Sequence, residues 1–586
     1  MVGQGVHMGN VSTTEYGSGG ATVATRDSML ILDADRHALR ALLFDLVDGS
    51  PRFIGEGTSQ TMTAGDVFTQ DRLWEAVHAL EEETGRTIAA DNQILMPQQT
   101  NGDGVDELFF TGLPVPAGKA ALIAIGNGSL GKQLVRGIRQ SPTVVASAAE
   151  DLGLSSTFST STLGAWLREV APTALILVHD GGTSEDWDIV IEAVADASRD
   201  GTVTTGIVIA DDAKQQLVAQ TLGGTLELSG IDPVDYEPWE IAAALESEFD
   251  EQYRQRVEKS DAIPAAQAAR YVDRLHAIQS VASFLHRRMN RNVVSLNISD
   301  GALVYQVTSG GSSTSFRGER DLALGARSLL RIAPERITRW LPYRWSVEEL
   351  TEWILNRTLR PFSRPDSTTD RLVEAAVRRE FVSDLVGDAR LGENGNLDLV
   401  VVGPNFAEQD LELALLTIID GISSQAGEGV ITIALDAEGL MAPIGAISTV
   451  DPIYARDVID QDFLVPMATC VVVNGEGERG ALAVRGEMTL SSGETQRFSV
   501  PFGNLHLLVV DETQTADVTL NPEPGFRVGS HQPGESVEFS GDRTLFGGRI
   551  GIVIDARGRP ITIPEDPESR VTLLRAWLTD MGSTAD

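Results

Sequence analysis

Cysteine occurs once in these 586 residues, lysine four times and histidine eight times. The lone Cys470 excludes an internal disulfide framework and a cysteine-built zinc site. It lies in the strand-like run MATCVVVNG, where a buried, inert thiol is expected. The histidines are scattered without a paired spacing, so no metal site is expected. No apolar run approaches the ~20 residues that a bilayer-crossing helix needs. Positive charge is short as well, with 84 acidic against 46 basic residues and a net charge of −38. A surface of that sign repels phosphates and anionic lipids, so neither nucleic acid nor membrane insertion is expected. All but Lys119, Lys132, Lys214 and Lys259 of the basic residues are arginine.

At this length two to four domains are expected. Residues 1–27 are rich in Gly, Ser and Thr and lack the apolar segment of a signal peptide, which reads as a flexible tail and a cytoplasmic location. Residues 28–60 read as three short strands, with Asp48-Gly49 as a hairpin turn. Residues 66–84 place Val67, Leu73, Trp74, Val77 and Leu80 at helical spacing, with Gly85 as the stop. The stretch NGDGVDELFFTGLP that follows reads as polar. Residues 131–260 alternate apolar strands, such as TALILVHDGG and TTGIVIADD, with helical patterns, as a buried parallel sheet does. An acidic helix, PWEIAAALESEFDEQYRQRVEKSD, closes that segment. The second half opens with a helix, AAQAARYVDRLHAIQSVASFLHRR, and then repeats the three-strand pattern from Asn292 to Glu319. Strands LDLVVVGPN and GVITIALD follow, with a helix between them. From Met467 to Ile563 the chain reads as a separate β barrel or sandwich, closed by a short helix.

The two hairpin corners carry the candidate chemistry. The first reads Asp33-Ala34-Asp35-Arg36-His37-Ala38-Leu39-Arg40, the second Asn297-Ile298-Ser299-Asp300-Gly301-Ala302-Leu303. A third strand ends in Gly403-Pro404-Asn405-Phe406. Paired hairpins of this kind resemble those of the actin-like ATPases, whose phosphate loop implies a carboxylate to orient a metal-bound water, then glycine for close approach, then hydroxyls as donors. Asp33 supplies the carboxylate, but Asp35 and Arg36 replace the glycine and a hydroxyl. At the second corner Asn297 cannot act as a base, and Asp300-Gly301 reads as an ordinary hairpin turn. At the third, Pro404 removes a donor and Phe406 adds bulk beside Gly403. One further turn, His179-Asp180-Gly181-Gly182-Thr183, ends a parallel strand, where α/β proteins bind ligands. Its neighbours Glu185 and Asp186 would repel an anion, and an Asp- or Ser-capped tight turn is the plainer reading.

In their order along the chain, these segments resemble the glutamate mutase L (MutL-type) family of the actin-like ATPase superfamily. The stretches that carry the resemblance include AADNQILMPQQTNGDGVDELFFTGL, APTALILVHDGGTSEDWDIVIEAV, ILNRTLRPFSRPDSTTDRLVEAAVRREF, GVITIALDAEGLMAPIGAI and GGRIGIVIDARGRPITIPEDPESR. The resemblance implies an α/β fold of duplicated actin-like (ribonuclease H-like) lobes, with an α/β insertion and a C-terminal β-rich domain. The lobes would span 28–130 and 261–455, the insertion 131–260 and the β-rich domain 456–586. It also implies an ATP-dependent chaperone that reactivates a cobalamin-dependent mutase. This sequence departs from the family's Asp-x-Gly-Ser/Thr corner, its Asp-x-Gly-Gly corner and its Gly-rich third turn. The expectation is therefore a pseudo-ATPase with no cofactor or only weak ATP/Mg binding. Its vestigial cleft would hold Asp33, Asp35, Arg36, Asn297, Asp300, Gly301 and Gly403. Its partner would be a protein, either a cobalamin-dependent mutase subunit or a paralogue of the family. An active ATPase using Asp33, Asp300 and Gly403 is the alternative.

Overall fold

The computed structural model describes residues 27–34, 38–60, 70–112, 118–126, 128–138, 144–149, 159–199, 201–258, 269–298, 302–307, 313–318, 326, 330, 334–359, 365, 367–388, 397–406, 410–422, 429–512 and 514–583. The tail assigned to residues 1–27 thus lies almost wholly outside them, as do Asp35, Arg36, Asp300 and Gly301. The protein is mixed α/β, built on four main sheets.

The first sheet starts with β1 (Met29–Ala34), β2 (Ala38–Val47) and β3 (Ser50–Gln60), paired antiparallel. Asp48 and Gly49 join β2 to β3 with φ of 52° and 79°. Positive φ at both central residues matches the strand twist, which is why this dipeptide forms the turn. Helix α1 (Gln70–Thr84) buries Leu73, Trp74, Val77 and Leu80 against this sheet, as their spacing predicts, while Val67 lies outside the described residues. A two-residue pair, β4 (Ala89–Ala90) and β5 (Gln93–Ile94), precedes β6 (Glu107–Gly112), which lies parallel beside β1. The sequence read this stretch as polar, but Leu108, Phe109 and Phe110 are buried on the two sheet faces.

Five parallel strands follow: β7 (Gly118–Ile125), β8 (Val144–Ala148), β9 (Ala174–His179), β10 (Thr205–Ile209) and β11 (Glu227–Ile231). Their order is β8-β7-β9-β10-β11, a doubly wound sheet whose connections reverse between β7 and β9. Helices α2 (Leu130–Ile138), α3 (Thr160–Val170), α4 (Ser184–Arg199), α5 (Asp212–Leu222) and α6 (Pro238–Glu258) belong to this unit. A boundary at residue 131 would cut off β7, whose ladders run to β8 and β9.

The chain then returns to the first sheet. Residues Arg270–Val272 form β12, parallel to β6, where the sequence suggested helix. Asp273 accepts a hydrogen bond from the His276 backbone N–H at 2.9 Å, and this cap starts α7 (Arg274–Met289) only after the strand. Next come β13 (Val293–Asn297), β14 (Ala302–Val307) and β15 (Ser313–Gly318), then helices α8 (Pro334–Thr338), α9 (Val347–Leu359) and α10 (Thr368–Asp388). Strand β16 (Leu399–Val402), helix α11 (Leu411–Gly421), strand β17 (Val430–Leu435) and helices α12 (Met441–Ser448) and α13 (Pro452–Val458) complete this part. The order β15-β14-β13-β16-β17, antiparallel then parallel, repeats β3-β2-β1-β6-β12 in the first sheet.

The last segment does not stand apart. Strand β18 (Val465–Gly475) pairs antiparallel with β17 and carries the second sheet onward. After it come β19 (Leu482–Leu490), β20 (Thr495–Pro501), β21 (Leu505–Leu508), β22 (Thr515–Pro522), β23 (Phe526–Val528), β24 (Val537–Phe539), β25 (Leu545–Phe546), β26 (Gly551–Asp555) and helix α14 (Pro567–Asp580). Strands β26 and β21 extend the sheet past β18, and β19, β20, β22, β24 and β25 make a separate sheet. Both pack on one apolar cluster that includes Val471, Val484, Val518 and Ile554, so a sandwich grows out of the sheet across residue 456. Cys470 is buried in β18, and burial pushes its thiol up to about 12.

One core joins the two repeated sheets. Met29, Ile31 and Phe44 from the first, Val293, Leu399 and Val401 from the second, and the inner faces of α7 and α12 form a single cluster. At the crossing of α12 on α7, a Cβ on Gly445 would lie 2.1 Å from the Ala277 carbonyl oxygen. Gly445→Ala should therefore force the helices apart and destabilise the protein by about 2 kcal/mol or more, read from urea unfolding.

A buried charge network holds α10, α11 and β26 together. Arg557 donates to Asp555 at 2.8 and 3.0 Å and lies 2.7 Å from Asp420, which also meets Arg379 at 3.0 Å. Arg379 stacks 4.4 Å over Trp340, and Arg557 stacks 4.8 Å over Trp577 of α14. Burial alone would raise the Asp555 pKa, but Arg557 and Arg559 outweigh it and hold the carboxyl well below its usual range. Asp555→Asn should cost about 3–5 kcal/mol in chemical denaturation, because the buried Arg557 and Arg559 lose the carboxylate they share and Arg557 is left with Asp420 alone.

Candidate functional site

Strands β1, β13, β16 and β17 end at the same cleft between the two repeated sheets. On the first side, Asp33 is the last residue but one of β1 and is 1% exposed. Its register neighbour on β6 is Thr111, whose hydroxyl donates to Asp33 Oδ1 at 2.6 Å. Two cations face its other oxygen: Arg40 Nη1 at 3.9 Å and Arg274 Nη2 at 3.5 Å. Arg40 is held by Glu56 across the β2–β3 ladder and reaches over the cleft to the carbonyls of Glu438 and Gly439 (3.3 Å to the latter).

On the second side, the register that pairs Leu296 with Val402 sets Asn297 beside Gly403. A Cβ on Gly403 would lie 3.1–3.4 Å from the Asn297 amide, so the two residues are packed face to face. The backbone turns into a short 3-10 helix at Pro404–Phe406, with Phe406 fully buried. Asp436, at the end of β17, accepts from the backbone N–H groups of Leu440 (2.6 Å) and Met441 (3.0 Å), which holds the Glu438–Gly439 turn in place. Gly439 then sits against both Arg40 and Pro404.

Of the residues expected from sequence, Asp33, Asn297 and Gly403 line this cleft, whereas Asp35, Arg36, Asp300 and Gly301 fall outside the described residues. Sequence reading missed Thr111, Arg274 and Asp436. The last carried a visible signal, because GVITIALD ends an apolar strand in aspartate just as MLILD does. What the described groups can do is bind one another. Arg40 is committed to Glu56 and two carbonyls, and Asp33 to a hydroxyl between two guanidinium groups. Among the described residues no group of three His, Cys, Asp or Glu side chains is arranged to hold a metal ion.

A second place went unnoticed in sequence. Gly126-Asn127-Gly128-Ser129-Leu130-Gly131 follows β7 and opens α2, at the point where the order of the parallel sheet reverses. This spacing is the phosphate-binding pattern of dinucleotide folds. Here the helix start is already filled. Asp180, from the turn after β9, accepts from Leu130 N at 3.3 Å and Gly131 N at 2.9 Å, and its own carbonyl accepts from Gly128 N. A Cβ on Gly128 would fall 1.7 Å from Asp180 Oδ1, so this glycine makes room for a carboxylate of the same chain. Thr183 and Asp186 form a reciprocal cap on α4 through 2.8 and 3.3 Å bonds, which is the tight-turn reading.

No protein-family model and no curated protein matches the chain. Among solved structures, a carbohydrate kinase from Novosphingobium aromaticivorans is similar at 11% identity, covering 75% of this chain and 96% of that one, with a TM-score of 0.23. A likeness at that level defines neither fold nor function. No helix among the described residues is long and apolar enough to cross a membrane.

Burial pushes the Asp436 carboxyl up to about 6, against the two N–H donors and the nearby Arg40 and Arg274. The folded state thus holds this proton more tightly than the unfolded chain, where the ordinary value is 3.8. The stabilising contribution is full below about pH 3.8 and is lost as pH rises through about 6. At 1.36 kcal/mol per pKa unit the loss is about 3 kcal/mol. The unfolding free energy of the parent relative to Asp436→Asn should fall between pH 4 and 6 and stay level above. Parallel pH curves for the two proteins would contradict this placement.

Proposed function

We propose that the protein is a degenerate actin-like ATPase with two duplicated lobes, working as a scaffold or chaperone-like binding partner rather than through ATP turnover. Support for the lobes comes from the five-strand order that recurs in the two sheets, with the doubly wound unit inserted between β6 and β12. The client suggested by the resemblance to the glutamate mutase L family is a cobalamin-dependent mutase system, and a paralogue of the family is the other partner on that reading.

The observation that carries the proposal is the pair of equivalent strand ends. Asp33 is the last residue but one of β1 and Asn297 the last of β13, so of the two strand-end positions at which the resemblance implies a carboxylate, one holds an amide. An amide can neither accept a proton from an attacking water nor balance magnesium charge. Arg40 adds to this, because its bonds to the Glu438 and Gly439 carbonyls tie β2 to the turn after β17 at these strand ends. The residues present therefore fit a magnesium nucleotide poorly. The second reading is an active ATP-dependent reactivating chaperone, favoured by the retention of Asp33 with Thr111 beside it.

Calorimetric titration with ATP separates the two readings. The wild type should give no saturable binding, with or without magnesium. The double variant Asp35→Gly, Asn297→Asp should gain magnesium-dependent binding if degeneracy is confined to the corners. Tight, magnesium-dependent binding by the unaltered chain would overturn the scaffold reading in favour of the chaperone.

A further inference from the structure

Strand β11 ends the doubly wound sheet, and the eight residues after it, Asp232 to Trp239, display apolar groups to solvent. Val234 is 86% exposed, Tyr236 54% and Trp239 69%. Single exposed apolar residues are ordinary. Three within six positions, two of them aromatic, form a patch. The segment is also held in shape. The Asp232 side chain accepts from Val234 N at 3.0 Å, and the Glu240 side chain accepts from Glu237 N at 2.8 Å. Pro233 and Pro238 open the 3-10 turn and α6, fixing φ at both starts. Behind the patch, α6 is anchored by Ile241, Ala242, Leu245 and Phe249, which are buried against the sheet.

Along the chain, the charge on either side of this segment has one sign. From Gln215 to Tyr253 the sequence contains nine acidic residues and no Lys, Arg or His. Glu227 and Glu237 are exposed, and Asp232 and Glu240 are half-buried. That rim repels nucleic acid and anionic lipid. It complements a protein surface with lysine and arginine around an apolar slot.

We propose that the Asp232–Glu240 segment is a preformed docking knob for a basic protein surface, with Trp239 and Tyr236 as its anchors. Buried aromatic anchors carry most of the energy in such interfaces, and a segment already ordered loses little freedom on binding. The inference goes beyond the reading of the nucleotide cleft and does not depend on it, since the knob lies on the inserted sheet. A negative result here leaves the ATP titration unaffected, and the converse holds.

The test is titration of the full chain with a synthetic amphipathic helix of lysine and leucine, against a lysine–serine peptide of equal charge. This control is needed because a chain of net charge −38 attracts any polycation. In hydrogen exchange, the lysine–leucine peptide should protect amides in 231–241 and leave the β sandwich unchanged. Trp239→Ala with Tyr236→Ala should weaken its binding at least about tenfold. Phe546→Ala, at an exposed aromatic elsewhere, should leave binding unaltered. No binding, equal binding of the lysine–serine peptide, protection elsewhere, or an unchanged affinity in the double variant would overturn the proposal. The wild-type footprint is decisive even if the double variant folds poorly.

Discussion

The close crossing of α12 on α7 is the contact on which the remaining architecture depends. Gly445 allows the two backbones to touch, and that lets both helices bury their inner faces between the repeated sheets. Because a single apolar core spans the two sheets, the ends of β1, β13, β16 and β17 are brought to one cleft. A wider crossing would leave each sheet with its own half-covered face, and the polar groups at the strand ends would no longer meet.

Within that cleft the chemistry is self-contained. Asp33, Arg40, Arg274 and Asp436 lie at the strand and helix ends, and their opposite charges largely answer one another. Buried charges without partners are expensive, so such a cluster either awaits a ligand or closes on itself. Arg40 closes it, linking a β2 side chain to the turn after β17. The doubly wound unit shows the same outcome in another form, with Asp180 at the helix start where a phosphate would bind. In both places an internal charged side chain occupies a position suited to an anion or a metal-bound nucleotide.

The arginine-rich composition has a structural use at the second junction. Arg557 bonds Asp555 through two nitrogens, meets Asp420 and stacks on Trp577, all while fully buried. A lysine has neither the fork nor the planar face to do this. The network ties α10, α11 and α14 to β26, the strand that continues the β17–β18 ladder into the C-terminal segment.

Local patterns were readable along the chain. The Asp48-Gly49 turn, the buried stripe of α1, the parallel strands of the inserted unit and the buried thiol of Cys470 each follow from a few adjacent residues. The corners at Asp33 and Asn297 were readable too, because a strand-ending carboxylate and its replacement by an amide are local facts. The errors arose where distant partners decide. ELFFTG reads as the tail of a polar stretch until β1 and β12 flank it, and RYV reads as helix until β6 pairs with it. Sequence by itself determined the strand ends, the turns and the sign of the surface charge, since these depend on residues within a turn or two of each other. Only the tertiary structure decided that Thr111, Arg274 and Asp436 gather around Asp33 and Arg40, because ladders and helix crossings, not sequence spacing, bring those polar groups together.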